Sequence, residues 1–223
     1  MGGSTQRILV WDWAVRLFHW VAVLSVAMMW WTGEEGMMDW HRRLGIFLLG
    51  LLVFRIVWGV IGPPTARFSR MIAGPAAVIG YFRDLFAGKH APAFGHNPAG
   101  TLSVIAILLA LAVQIGTGLF AVDVDGLESG PLSTLVSFEA GRQAAEIHEI
   151  SFNVLVGLII LHVAAVAAYL IFFRDNLIRP MVTGRRSRAD FPAGDLQDNR
   201  ASLLKVGIAA AIAVAVVVGV LSV

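Results

Sequence analysis

Residues 148–173 read HEISFNVLVGLIILHVAAVAAYLIFF, from His148 to Phe173. After Glu149 the run carries no acidic or basic side chain but His162, and it is long enough for a helix to cross ~30 Å of hydrocarbon. His148 and His162 lie fourteen residues apart. That is close to four whole turns, so both imidazoles leave one helix face, ~21 Å apart along its axis. Polar side chains are expensive in a bilayer and usually mark function there.

The rest of the chain has the same character. Of 223 residues, 57% are hydrophobic and 14% charged, and mean hydropathy is +0.76. A soluble domain of this size cannot bury so much apolar surface, which points to several membrane spans. Cysteine is absent, which excludes disulfides, iron–sulfur clusters, thiolate zinc sites and covalent C-x-x-C-H haem attachment. Tryptophans near the ends of apolar runs (Trp11, Trp13, Trp30, Trp31, Trp40, Trp58) fit interfacial anchoring.

Five spans are expected: Trp13–Thr32, His41–Ile61, Thr101–Val122, His148–Phe173 and Leu203–Val223. The first, flanked by tryptophans, without an A-x-A site and carrying Arg16 and His19, does not read as a cleaved signal peptide. Arg67, Arg70, Arg83 and Lys89 follow the second span, and Arg174, Arg179, Arg185, Arg186 and Arg188 follow the fourth. The other connectors are acidic (Glu34, Glu35, Asp39; Asp123, Asp125, Glu128, Glu139, Glu146), with only Arg42, Arg43 and Arg142 against the trend. The positive-inside rule then puts the N-terminus in the cytoplasm and, after five spans, the C-terminus outside. Gly74-Pro75 opens a short interfacial helix through Tyr81 and Phe86. Asn97-Pro98 caps the start of the third span.

This topology sorts the histidines by depth. His41, at the outer start of the second span, shares a level with His148; His19, near the cytoplasmic end of the first, shares one with His162. Two imidazole pairs at two heights are what a bundle needs to hold two haems non-covalently. The expected fold is therefore all-α: an integral membrane four-helix haem-binding bundle plus one extra C-terminal transmembrane helix. Two other readings stay open. Each histidine can be an interhelical hydrogen bonder, or the set can line a zinc or copper path, although no carboxylates lie near mid-membrane.

Arg55 stands fourteen residues after His41 on the same face. It suits a haem propionate or a quinone carbonyl, with snorkelling to the cytoplasmic surface as the alternative. Arg16, one turn before His19, has the same two readings. His96, beside the third span, can bond a propionate or exchange protons with a quinone, or be solvated; His90 reads as a solvated loop residue. Gly45, Gly116, Gly118 and Gly157 either admit a flat macrocycle or serve helix packing. The third span carries no histidine and reads as closing the bundle without ligating.

Several pieces resemble the bacterial cytochrome b-561 family, which includes the b-type cytochrome subunits of nickel–iron hydrogenases. They are Val10-Trp11-Asp12-Trp13, Val15-Arg16-Leu17-Phe18-His19-Trp20, His41-Arg42-Arg43-Leu44-Gly45, Phe54-Arg55-Ile56-Val57-Trp58-Gly59, Gly95-His96-Asn97-Pro98, Thr117-Gly118-Leu119-Phe120, His148-Glu149 and His162. The resemblance covers residues 9 to 173 in the family's order. It implies two bis-histidine haem b groups at His19, His41, His148 and His162, and electron exchange between the quinone pool and an outer redox partner. Residues 1–182 are expected as the dihaem membrane domain, 183–201 as a cytoplasmic linker and 202–223 as the fifth span. The expected setting is the bacterial inner membrane, with lipid, quinone and a periplasmic c-type cytochrome or a small oxidant such as superoxide as partners. Alternatives are the membrane anchor of a hydrogenase or dehydrogenase, and a haem-free metal transporter. No nucleic-acid partner is expected.

Overall fold

The computed structural model describes residues 6–90, 92–191 and 198–223. Residues 1–5 of the expected membrane domain, Ala91, and 192–197 of the expected linker lie outside the described residues. The elements run β1 (Arg7–Leu9), α1 (Trp13–Glu34), α2 (Met38–Ile61), α3 (Phe68–Met71), α4 (Pro75–Phe86), α5 (Pro98–Phe120), α6 (Phe138–Phe172), α7 (Ile178–Thr183), β2 (Arg185–Ser187) and α8 (Leu203–Leu221). Helices α1, α2, α5, α6 and α8 are each long and apolar enough to cross a membrane. The fold is all-α and multi-pass; among the described residues the strands form one short antiparallel pair, Arg7 opposite Ser187 and Leu9 opposite Arg185.

Local chemistry explains the helix ends. Asp12 caps α1, its Oδ1 accepting from the amides of Ala14 (2.8 Å) and Val15 (3.0 Å). Asn97 caps α5 by accepting from Gly100 N–H at 2.7 Å, ahead of Pro98. Gly74 precedes α4, with Pro75 as its first residue. Helix α6 begins at Phe138, ten residues before the expected His148. Glu139, Arg142 and Glu146 end an apolar run without ending a helix, and Ser137 Oγ receives the Ala140 amide at 3.2 Å. At its far end Arg174 adopts a left-handed conformation (φ 53°), and the Asp175 amide returns to Tyr169 O at 3.0 Å. The chain thus leaves the helix through a left-handed arginine, a position where glycine is usual.

The chain divides into two compact units, each assembled from separate segments. The first comprises residues 1–17, 58–105 and 160–206, and polar bonds dominate it. The β1–β2 pair lies here, and the amides of Val10 and Trp11 donate to Gly184 O at 2.8 and 3.1 Å. Trp58, fully buried, donates its indole N–H to Asp12 Oδ2 at 3.3 Å. Asn199 bonds the Thr65 amide and hydroxyl through Oδ1 (both 3.2 Å) and Leu9 O through Nδ2 (3.2 Å). Within the expected linker, then, residues 185–187 form β2 and Asn199 is buried. Trp11 and Trp58 are packed inside, unlike Trp13, Trp30, Trp31 and Trp40, which stay exposed as interfacial anchors should.

The second unit comprises residues 18–57, 106–159 and 207–223. Its core is Leu48 and Leu52 of α2, Leu111 and Ile115 of α5, and Leu155 of α6. Each same-helix pair is four residues apart, one face of a helix. Ala209 and Ala213 of α8 are buried, and Val217, one turn further, lies where a Cβ on Gly50 would come within 3.3 Å. Val217 of the fifth span thus approaches α2 where Gly50 leaves room for it.

Candidate functional site

The stripe His41, Gly45, Leu48, Leu52 runs down one face of α2, so the core leucines place the histidine above them. Here α2 and α6 bring His41 and His148 together, ring centres 6.2 Å apart and planes at 77°. A metal ion gripped between two imidazole nitrogens, each at about 2.0–2.1 Å, separates the ring centres by about 6.3 Å. Both rings border a cavity of about 260 Å³ walled by apolar side chains, with Asp123, Glu128 and Gly130 of the α5–α6 connector at its edge.

Neighbouring backbone fixes the protonation of each ring. His41 Nδ1 lies 3.0 Å from Met29 O and His148 Nδ1 lies 2.8 Å from Gln114 O. A carbonyl only accepts, so both Nδ1 atoms carry the hydrogen and both Nε2 atoms carry the lone pair. Nδ1–H held by a backbone carbonyl, with the lone pair on Nε2, is how ligating histidines are held. Thr32 Oγ1 and Thr117 Oγ1 add longer contacts, each 3.4 Å from the Nδ1 of His41 and His148 respectively. Gln114 Nε2 donates to His148 Nε2 at 3.0 Å, and its Oε1 accepts from Ser151 Oγ.

Glycine makes the approach possible. A Cβ on Gly118 would stand 2.8 Å from His148 Cε1, so the ring lies directly over α5 backbone. Gly33 gives His41 similar room, at 3.4 Å. Gly116 and Gly157 face open space and Gly45 only Met29, so of the glycines singled out in the sequence Gly118 is the one the site requires. At the edge of the cavity Arg42 is neutralised by Asp39 (2.6 Å) and Glu128. Arg43 lies over the Trp40 ring and Arg142 donates to Val122 O, so these cations are engaged locally.

The remaining sequence-predicted residues are described within their own units. His19, in the second unit, is half-buried with Trp20 edge-on at 5.0 Å. His162, in the first, is half-buried, its Nδ1 3.0 Å from Ser103 Oγ of α5. Arg55 is only 3% exposed, so its side chain does not snorkel out to solvent. Arg16 Nη1 donates to Val182 O at 2.5 Å, tying α1 to the end of α7. His96 tilts against Trp11 (centres 4.5 Å) and lines a smaller cavity of about 170 Å³ with Thr65, Arg70 and Phe94. His90, read as solvated, is instead buried against Asp175.

Sequence reading passed over Gln114, Ser151 and Ser103. Gln114 had a visible signal: a side-chain amide inside a span, one turn before Gly118 on the same face. Among the described residues no three His, Cys, Asp or Glu side chains converge on a common point. Two protein ligands are what an iron takes when a porphyrin supplies the other four.

Fold and site together define a multi-pass, all-α membrane protein with paired inward imidazoles. A family model for prokaryotic cytochrome b561 matches residues 10–184, and the chain belongs to that family. It is thus a bacterial membrane b-type cytochrome, a haem b protein of electron transport. No curated protein matches the chain.

The residues present fit a haem. Two imidazoles stand at metal-bridging separation with lone pairs on the same kind of nitrogen, a glycine lets one ring lie on backbone, and the adjoining cavity is apolar.

Proposed function

We propose that the protein is a dihaem cytochrome b that carries electrons between the membrane quinone pool and a redox partner outside the membrane. His41 and His148 hold the outer haem, and His19 and His162 the inner one. The observation that carries the reading is the His41–His148 pair, 6.2 Å between centres with both Nδ1–H groups turned to carbonyls. Haem b supplies a reversible one-electron ferric/ferrous couple when bound. The chain's own residues do the rest. Met29 O and Gln114 O raise the donor strength of the rings, and Ser103 orients His162. Leu48, Leu111, Ile115 and Leu155 keep water from the outer site and so set its potential.

Arg55 and Arg16 serve propionates or quinone on the inner side, with His96 at the same level. The arginine-rich connectors support a cytoplasmic N-terminus and a periplasmic C-terminus. Because cysteine is absent, single introduced cysteines in the 62–97 and 121–137 connectors report the two sides by membrane-impermeant labelling. The outer connector, with Asp123, Asp125 and Glu128, suits a basic c-type cytochrome better than an anionic oxidant, because Arg42 is already neutralised.

A pyridine haemochrome assay on the purified chain gives two haem b per polypeptide, and a soluble quinol reduces both. One haem or none, or no reduction by quinol, overturns the reading. Family membership also favours a second reading, the membrane anchor of a hydrogenase or dehydrogenase. Co-purification of a large catalytic subunit at fixed stoichiometry selects that one. A haem-free transporter has no support in a b-type cytochrome family.

A further inference from the structure

His90, in the connector between α4 and α5, is assigned no role by the haem pairs, yet it is built in as a working group. Its Nε2 lies 3.0 Å from Asp175 Oδ2, with the two side chains 8% and 5% exposed. Arg186 Nη2 donates to Asp175 Oδ1 at 2.7 Å, and Arg186 Nε faces Asp190 at 3.5 Å. A carboxylate accepts, so the Nε2 of a neutral ring carries the hydrogen and Nδ1 the lone pair. That Nδ1 is buried and has no hydrogen-bond partner among the described residues. Buried polar atoms are almost always satisfied, so an exception calls for a ligand or a proton.

The surroundings narrow the ligand. Tyr169 and Phe173 of α6 wall the ring at 5.3 and 5.0 Å, and Tyr81 of α4 bonds the Tyr169 hydroxyl. Asp175, Arg186, Tyr81 and Tyr169 are the titratable groups that meet His90 from the elements around it; Lys89 beside it is exposed. Aromatic walls and one basic nitrogen suit a planar ring bearing a hydroxyl. Tyr169 also lies seven residues past His162, two turns on the same face of α6 and ~10.5 Å along the axis. The Asp175 carboxylate is delivered by the left-handed turn at Arg174, the one described residue other than glycine with positive φ.

We propose that His90 exchanges the proton of a membrane quinol, its Nδ1 accepting from the quinol hydroxyl, with Asp175 as the positioning residue. This rests on the quinone-linked reading above. A quinol loses two electrons and two protons in becoming a quinone. The electrons would leave singly for the haem that the histidine pairs would hold. One O–H that breaks leaves its proton on His90 Nδ1, giving an imidazolium faced by Asp175 across Nε2, and the other proton passes directly to water. Quinone reduction runs the same path backwards.

The test uses the haem-loaded full chain in lipid nanodiscs, with haem reduction followed by stopped flow, using a short-chain ubiquinol or dithionite. His90→Gln slows reduction by quinol about a hundredfold and leaves reduction by dithionite unchanged. In His90→Gly, added imidazoles restore the quinol rate in order of their basicity rather than their size. If His90→Gln does not assemble, Asp175→Asn carries the test, with a smaller selective loss on quinol alone. Equal quinol rates in wild type and variants overturn the proposal, as does equal slowing with both reductants or rescue that follows size. Failure of the wild type to accept electrons from quinol sinks the quinone reading itself, and this proposal with it.

Discussion

The two compact units solve opposite problems with the same kinds of helix. In the unit holding His41 and His148, polar atoms gather at the rings and leucine and isoleucine surround them, leaving an apolar cavity. In the other unit Asp12, Trp58, Thr65, Asn199, Asp175 and Arg186 bond one another and the backbone. Space for a large flat ligand requires side chains that make no demands on one another. A unit that ties β1, the α1 cap and the segment after α6 together needs directional bonds instead. Spanning helices thus divide into stretches that host and stretches that fasten.

Six substitutions break or sharpen that contrast. His148→Ala has the largest effect: of the two proposed haems, one is lost from the haemochrome assay while the other keeps its spectrum. Loss of both, or of neither, denies the hosting unit its independence. Gly118→Val drives a side chain into the His148 ring and weakens haem retention by about 10–100-fold. Gly116→Val, with nothing within 4 Å, leaves retention unchanged, so haem off-rates compared between the two isolate the ring contact. In the fastening unit Asp12→Ala removes the α1 cap and the Trp58 partner and costs about 1–2 kcal/mol, read as a lower Tm, with haem content intact. Arg174→Gly relieves the left-handed turn and raises stability by up to about 1 kcal/mol.

The smallest effect concerns Tyr81. Burial, then its bond to Tyr169, push the phenol well above the usual tyrosine value. A raised value means the folded protein holds the proton more tightly. Its contribution is therefore full below pH ~10 and is lost as pH rises beyond that. Tm measured at pH 8 and pH 10.5 falls less in Tyr81→Phe than in wild type; an identical fall removes Tyr81 from the fastening network.

The five spans were legible because hydrophobicity over twenty residues is a strong, one-dimensional signal, and His41 with His148 followed from spans alternating in direction. The charged face of Glu139, Arg142 and Glu146 hid the first ten residues of α6, since hydropathy reports where lipid ends, not where hydrogen bonding does. Trp58 looked like an interfacial anchor because nothing in the sequence shows Asp12, forty-six residues earlier, meeting its indole. His90 was misread for the same reason: its carboxylate partner is eighty-five residues away. Gln114 carries no charge and breaks no hydropathy pattern; its one sequence signal is a side-chain amide a turn before Gly118, and the His148 ring it meets gives that signal its meaning.

The pairing of Arg7–Leu9 with Arg185–Ser187 bears on how the molecule is made. Residue 187 leaves the ribosome some 180 residues after the first strand, roughly ten to forty seconds later at typical synthesis rates. Until then the amides of Val10 and Trp11 have no Gly184 carbonyl to meet. The leading segment must wait beside the insertion machinery while four spans enter the bilayer. Its docking marks the moment when that part of the nascent chain is complete, a latch that closes only after four spans separate its two halves.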